Sequence, residues 1–231
     1  MVLTPGIIGG IGPESTITYY RRIIAGFRER HADGSWPAMI INSIDLKHEL
    51  DLVEHDRAGL IAYMAEEVRR VHSAGAHFAL FASNTPHVVF DEVQRRVNIP
   101  LLSITDAARD AARQLGLRKL ALFGTLFTME ATFYSDRFAA TGMTIVLPDE
   151  DQRRWIHDRY MNELLVNVFR PETRNGLLDI VDRMKRRYNI DGVLLAGTEL
   201  PLILTDNGGT GIPFLDTAVI HADAVVARML A

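Results

Sequence analysis

The chain has 231 residues, of which 48% are hydrophobic and 23% are charged, and its formal net charge at pH 7 is −4. These proportions are ordinary for a globular protein and exclude the collagen, coiled-coil and disordered classes. The small negative charge gives no support to nucleic-acid binding, which needs a concentrated basic surface.

The absence of cysteine and the spacing of the histidines exclude several kinds of site. There is no cysteine, which excludes disulfides, thiolate zinc sites and a cysteine nucleophile. The eight histidines are scattered without the spacing of metal ligands, so no metal site is predicted. No apolar run reaches the roughly 18 residues that span a bilayer, and no signal peptide is apparent. We therefore expect a cytoplasmic protein with no metal, no membrane and no nucleic-acid partner.

Short apolar runs alternate along the chain with segments of helical period. The predicted strands are residues 6–9, 38–44, 77–81, 100–104, 120–123, 144–147 and 193–196. The predicted helices are residues 15–28, 56–75, 106–115, 129–141, 151–169, 174–187 and 219–230. Apolar strands without alternation, separated by helices, are typical of parallel sheets covered on both faces. The predicted fold class is α/β.

The two halves of the chain repeat one another at a constant offset of 114 residues. The matched pairs are Gly10 and Gly124, Thr18 and Thr132, Tyr20 and Tyr134, Ser83 and Gly197, Asn84 and Thr198, and Thr85 and Glu199. One offset shared by separate motifs predicts two similar lobes, each with a parallel sheet covered by helices. We expect residues 1–102 with 213–231 to form the first lobe and residues 103–212 the second.

Four loops at predicted strand ends carry small polar residues: 9–16, 83–87, 124–128 and 197–199. Ligands of parallel sheets bind beyond the carboxyl ends of the strands. If the lobes are related by a pseudo-twofold axis and face one another, these loops converge on a site between them. Hydroxyl and amide side chains followed by helix N-termini can bind a carboxylate or phosphate. The alternative for each of these residues is ordinary helix capping.

The same loops resemble the pyridoxal-phosphate-independent aspartate/glutamate racemase superfamily. The resemblance rests on residues 9–16 (GGIGPEST), 83–87 (SNTPH), 124–125 (GT), 197–199 (GTE) and 214–217 (FLDT), so it covers nearly the whole chain. It implies two Rossmann-like lobes, a homodimer, no cofactor, and a small carboxylate or amino acid as substrate.

The resemblance also implies where catalysis should occur, and there this chain departs from the pattern. Typical members begin the two corresponding motifs with cysteine, and the two thiols exchange a proton on opposite faces of the α-carbon. Ser83 and Gly197 stand at these positions. A serine hydroxyl is a poor base without an activating partner, and glycine carries no proton at all. The standard two-thiol racemisation is therefore not expected.

Other site residues follow from the resemblance in the same way. Lys47 corresponds to a basic residue that contacts a substrate carboxylate, and Trp155 lies near the position of a second-lobe lysine. The substrate-binding set that it implies is Gly10, Lys47, Asn84, Thr85, Gly124, Thr125, Trp155 and Thr198. A packing role for Trp155 and a surface role for Lys47 are the alternatives.

Three hypotheses about function remain open at this stage. The first is a non-standard isomerase or lyase that passes through a carbanion or enediolate. Its one-sided proton transfer would use Ser83 with His87, or Glu199, or Lys47. The second is a binding protein that has lost the chemistry, and the third is a racemase whose cysteines have been replaced. Packing is the alternative for His87, and helix capping is the alternative for Glu199.

Overall fold

The computed structural model describes residues 2–31 and 33–231. Met1 and Ala32, both within the predicted first lobe, lie outside the described residues. The chain divides into two compact units. The first unit comprises Met1–Ala107 and Ala218–Ala231, and the second comprises Ala108–Thr217.

The described residues form eight strands, eleven α-helices and two short 3-10 helices. The strands are β1 (Pro5–Gly9), β2 (Ile40–Ser43), β3 (Phe78–Phe81), β4 (Leu101–Leu102), β5 (Lys119–Gly124), β6 (Thr144–Val146), β7 (Gly192–Ala196) and β8 (Phe214–Asp216). The α-helices are α1 (Pro13–Arg30), α2 (Leu46–His55), α3 (Arg57–Ser73), α4 (Phe90–Gln94), α5 (Ile104–Gln114), α6 (Leu126–Glu130), α7 (Phe133–Ala139), α8 (Glu150–Asn162), α9 (Pro171–Tyr188), α10 (Leu200–Ile203) and α11 (Thr217–Leu230). The 3-10 helices are Thr85–Val89 and Leu164–Val166.

Each unit contains a four-stranded sheet in which all described pairings are parallel. The order is β2-β1-β3-β4 in the first unit and β6-β5-β7-β8 in the second. Pro5 and Lys119, which begin β1 and β5, are 114 residues apart, and the same separation holds for the starts of β3 and β7. The predicted α/β class with two similar units is therefore confirmed.

The central strands β1, β3, β5 and β7 are almost wholly buried, as their unbroken apolar sequences predicted, whereas the edge strand β2 alternates between half-buried and exposed residues. In the first unit, one face of the sheet packs on α3 and α4 and the other on α1 and α11. In the second unit, a single large cluster joins β5 and β7 to α8, α9 and α10. Burial of both faces explains why the strands carry apolar side chains at consecutive positions.

The structure differs from the predicted helices in several places. The sequence predicted no helix between residues 46 and 55, but Asp45 caps α2 by accepting the backbone N–H of Lys47 at 2.9 Å. The short helices α4 and α10 were not predicted either, and the helix predicted over 129–141 is divided into α6 and α7. The helix predicted over 151–169 ends at Asn162, and the carboxylate of Glu163 beyond it accepts the hydroxyl of Thr173. Strand β8 was also missed, since three residues are too few to show a period.

The repeat pairs Tyr20 with Tyr134, but their environments differ. Tyr20 is 46% exposed on α1, whereas Tyr134 is fully buried on α7. The buried tyrosine of the first unit is Tyr19, whose hydroxyl donates to Nδ1 of His221 at 2.7 Å. Nε2 of His221 in turn donates to the carbonyl of Leu102 at 3.1 Å. Burial lowers the pKa of His221 from 6.5 to about 3, so this chain of bonds joins α1, α11 and β4 through a neutral imidazole.

We expect Tyr19→Phe to lower the free energy of unfolding by about 1–2 kcal/mol, because it leaves the buried Nδ1 of His221 without that donor. Urea denaturation at pH 7 measures the change. Tyr20→Phe, on the exposed face of the same helix, is the matched control and should leave stability within about 0.5 kcal/mol of the parent. Equal stability of both variants would contradict this role for the buried hydroxyl.

Candidate functional site

The sequence-predicted polar residues lie where strands end, at the carboxyl edge of each sheet. Since parallel strands share one direction, loops that are distant in sequence meet at the same edge. In the first unit these are the loops after β1 and β3, and in the second unit those after β5 and β7.

In the first unit, the segment after β3 presents a hydroxyl, an amide and a second hydroxyl in succession. Ser83 is half-buried, and within the described part of the chain its hydroxyl has no hydrogen-bond partner. Asn84 is buried and Thr85 begins the 3-10 helix. The hydroxyl of Ser83 is therefore available to form a hydrogen bond with a ligand.

Both ring nitrogens of His87 are hydrogen-bonded to backbone groups. Nδ1 donates to the carbonyl of Ser83 at 3.0 Å, and Nε2 accepts the backbone N–H of Ile104, also at 3.0 Å. A neutral ring with its proton on Nδ1 satisfies both bonds. His87 thus touches the main chain of Ser83 rather than its hydroxyl, and this geometry favours a positioning role over the activation of Ser83.

The loop after β1 is held tightly by its own side chains. Gly10 has a φ of 82°, and a Cβ there would lie 2.5 Å from the carbonyl oxygen of Ile44. Its backbone N–H donates to the hydroxyl of Thr16 at 2.9 Å. Ser15 begins the buried face of α1 and donates to the carbonyl of Ala82 at 2.5 Å, which ties this loop to the end of β3. Only glycine fits at position 10, for steric and conformational reasons.

Lys47 lies in the first turn of α2 with an exposed side chain. Two residues further on, Glu49 is fully buried, and within the described residues neither of its carboxylate oxygens has a hydrogen-bond partner. Burial raises the pKa of Glu49 from 4.5 to about 7. No sequence pattern singles out Glu49, because most of its neighbours in α2 are polar.

In the second unit, the loop after β5 is capped by its own hydroxyl groups. Thr125 is the N-cap of α6, and its Oγ1 lies 3.1 Å from that of Thr128. The backbone N–H of Leu126 donates to Nδ1 of His157, on α8, at 3.2 Å. Gly124 ends β5, and a Cβ there would lie 2.9 Å from the carbonyl oxygen of Ala196. This loop is therefore packed against α8 and against the end of β7.

The segment after β7 forms the most tightly organised polar cluster at this edge. The buried carboxylate of Glu199 accepts hydrogen bonds from the phenol of Tyr160, on α8, and from the hydroxyl of Thr198 at 2.7 Å. Gly197 packs directly on Tyr160, because a Cβ at Gly197 would lie 2.5 Å from Cε2 of the ring. Burial, together with the neighbouring Glu199, raises the pKa of Tyr160 well above its usual value.

Trp155 has a packing contact of its own on α8. A Cβ on Gly176 of α9 would lie 2.5 Å from the indole ring, and the guanidinium of Arg159 lies 5.5 Å from the ring centroid. The ring therefore packs between α8 and α9 while remaining half-buried. The geometry favours the packing alternative for this residue.

Sequence reasoning missed three features of the structure: the buried Glu49, Tyr160, and the pair of Tyr19 with His221. Tyr160 and the pair are defined by contacts between elements far apart in the chain, and Glu49 is defined by its burial alone. Glycine at position 197, where the racemase resemblance implies a catalytic side chain, is the one sequence signal that invites a search for another proton-bearing group nearby. Among the described residues there is no cluster of three or more potential metal ligands and no helix able to span a membrane.

Comparison of the chain with known proteins identifies its family. The family model described as Asp/Glu/hydantoin racemase matches residues 8–225. The chain belongs to this family.

Three relatives illustrate the similarity. The broad specificity amino-acid racemase of Bacillus subtilis is 22% identical over 98% of both chains. An aspartate racemase homologue from Pyrococcus horikoshii has 32% identity and a TM-score of 0.87, covering 99% of each chain. A Yersinia pestis protein named after the Asp/Glu racemases has 27% identity and a TM-score of 0.92, covering 99% of this chain and 100% of its own.

We expect the stability of the chain to fall as pH rises from about 4.5 to about 7, because the fold favours the protonated form of Glu49 across that range. Glu49→Gln should raise the free energy of unfolding by about 1–3 kcal/mol at pH 8 and change it little at pH 5. Urea denaturation at both pH values measures the difference. Glu54→Gln, on the exposed side of the same helix, is the control and should change the free energy of unfolding by the same small amount at pH 5 and pH 8. An equal effect of Glu49→Gln at the two pH values would rule out this titration of Glu49.

Gly197→Ala should destabilise the chain by about 1–3 kcal/mol, because the added methyl group overlaps the buried ring of Tyr160. In a Tyr160→Ala background the same substitution should cost much less. A double-mutant cycle from thermal or urea unfolding measures the coupling between the two positions. Additive losses would show that the ring does not fill the space at position 197.

Proposed function

We propose that the chain is an enzyme that forms a carbanion or enediolate from a small carboxylate or amino acid, as a non-standard isomerase or a lyase, without a cofactor. The observation that carries this proposal is the buried carboxylate of Glu199, which sits beside Gly197 and is hydrogen-bonded to the phenol of Tyr160. A binding protein that had lost the chemistry would need only neutral groups or cations at an anion site. A buried acid–phenol pair at the strand end is instead a means of holding and moving a proton.

The groups around the two strand-end segments are suited to the charge that develops in such a reaction. In the first unit the amide of Asn84 and the hydroxyl of Thr85, and in the second unit the hydroxyl of Thr125, are groups able to donate to a carboxylate oxygen as its charge grows. The names of the Bacillus and Pyrococcus relatives, both racemases of amino acids or homologues of one, support an amino acid as the substrate class.

The choice of base follows from the contacts of the three candidates. His87 is held by backbone groups through both ring nitrogens. Lys47 is exposed on α2. Glu199 is the one of the three that is both buried and hydrogen-bonded to other proton-bearing side chains, so we assign the proton-accepting role to it.

Ser83 is proposed to bind the substrate carboxylate rather than to abstract a proton. Its hydroxyl has no partner among the described residues and can therefore donate to an incoming anion. Without two thiols, proton transfer from one side favours slow exchange of the α-proton, or a lyase reaction such as decarboxylation of a malonate, over rapid racemisation. The substrate panel below distinguishes these two outcomes.

The test is proton NMR of the protein in deuterated water with L- and D-aspartate, L- and D-glutamate, and phenylmalonate. We expect the α-proton signal of one of the amino acids to disappear, or a decarboxylation product of the malonate to form. Saturation transfer to a ligand with no exchange and no product would overturn the proposal in favour of a binding protein.

Ser83→Ala should weaken binding of the active substrate by about tenfold, because it removes one hydrogen bond to a charged group. The dissociation constant from NMR titration measures this effect. Ser135→Ala removes a hydroxyl that bonds only to the carbonyl of Thr132 on a surface helix, and it should bind as the parent does. Unchanged binding in Ser83→Ala would exclude Ser83 from the substrate contact.

A further inference from the structure

The space beside Gly197 is filled by the side chain of another element. The position that a Cβ at Gly197 would occupy lies 2.5 Å from Cε2 of Tyr160, 2.9 Å from its hydroxyl oxygen and 3.0 Å from Cζ. The hydroxyl-bearing end of the ring thus lies within the volume that a side chain at position 197 would need. A side chain at Gly197 and the ring of Tyr160 cannot coexist in these positions.

The phenol of Tyr160 has a full set of polar neighbours. Its hydroxyl donates to Oε2 of Glu199, which also accepts the hydroxyl of Thr198 at 2.7 Å. The phenol therefore donates to a carboxylate that also accepts a second hydrogen bond. A phenol oxygen in this position can take up one proton while it passes its own proton to the carboxylate.

We propose that Tyr160 is a catalytic residue of this chain and that, with Glu199, it forms the proton relay of the second unit, in the space left by the missing side chain of Gly197. The proposal rests on the proposed function, because it supplies the proton carrier for that reaction.

Two protons move in the relay, and each has a donor and an acceptor. As the C–H bond at the substrate α-carbon breaks, its proton passes to the phenol oxygen of Tyr160, and the phenol's own proton passes to the carboxylate of Glu199. The electron pair of the C–H bond stays on the substrate as a carbanion or enediolate. Reprotonation at carbon runs the same two transfers in reverse, and exchange of the Glu199 proton with solvent introduces deuterium.

Packing alone accounts less well for the arrangement. A phenylalanine would fill the same space without placing a phenol against a buried carboxylate, which is costly to bury unless it is well hydrogen-bonded. The neighbouring apolar residues of α8 and β7 belong to the core of the second unit and would pack as well against a ring without a hydroxyl.

The test compares Tyr160→Phe and Glu199→Gln with the parent, using whichever of L-aspartate, D-aspartate, L-glutamate, D-glutamate or phenylmalonate the parent turns over. Both substitutions preserve side-chain shape. We expect each to slow α-proton exchange or product formation by about a hundredfold or more, while the dissociation constant from NMR titration stays within about threefold of the parent. Tyr188→Phe is the matched control, since that phenol also donates to a carboxylate, Asp149, at 2.8 Å, but at the surface.

The outcomes separate the relay from the function on which it rests. A parent that turns over none of the probes overturns both. A parent that is active while Tyr160→Phe is equally active overturns the relay alone, as does a variant that loses binding and rate together. If Tyr160→Phe fails to fold, Glu199→Gln decides the question, because an unchanged rate there removes the proton acceptor from the relay.

Discussion

Parallel pairing of the strands is the constraint on which the rest of this molecule depends. Because all four strands of each sheet run in one direction, their carboxyl ends share an edge, and the polar loops that follow the strands lie at that edge. Covering both faces with helices requires continuous apolar strands, so polar groups are confined to the strand ends. The segments that begin at Ser83 and Gly197 lie there for this reason, one in each unit.

The two edges have different chemistry although their sheets have the same strand order. In the first unit the hydroxyl of Ser83 has no hydrogen-bond partner among the described residues, and the ring of the nearby His87 is hydrogen-bonded to backbone groups. In the second unit Gly197 supplies no side chain, and Tyr160 from α8 fills the space and brings a phenol to Glu199. The packing of α8 against the end of β7 therefore determines which polar groups lie at this edge.

Buried titratable groups show how strongly local contacts decide protonation. His221 is kept neutral by burial, while both of its ring nitrogens are satisfied by Tyr19 and Leu102. Glu49 is equally buried but lacks such partners among the described residues, so its carboxyl group favours the protonated form up to about pH 7. In both cases burial penalises the charged form, which for histidine lowers the pKa and for glutamate raises it.

The sequence by itself determined the α/β class, most of the strands and the polar segments at the strand ends, because these depend on local periodicity and on a rule about parallel sheets. It missed α2, whose start depends on capping by Asp45, and it missed α4, α10 and β8, which are too short to show a period. It also aligned Tyr20 with Tyr134, whereas the buried tyrosine of the first unit is Tyr19. Only the tertiary structure placed Tyr160 against Gly197 and Glu199, since contacts between α8 and the end of β7 join residues 37 or more positions apart and no local pattern records which side chain fills an empty space.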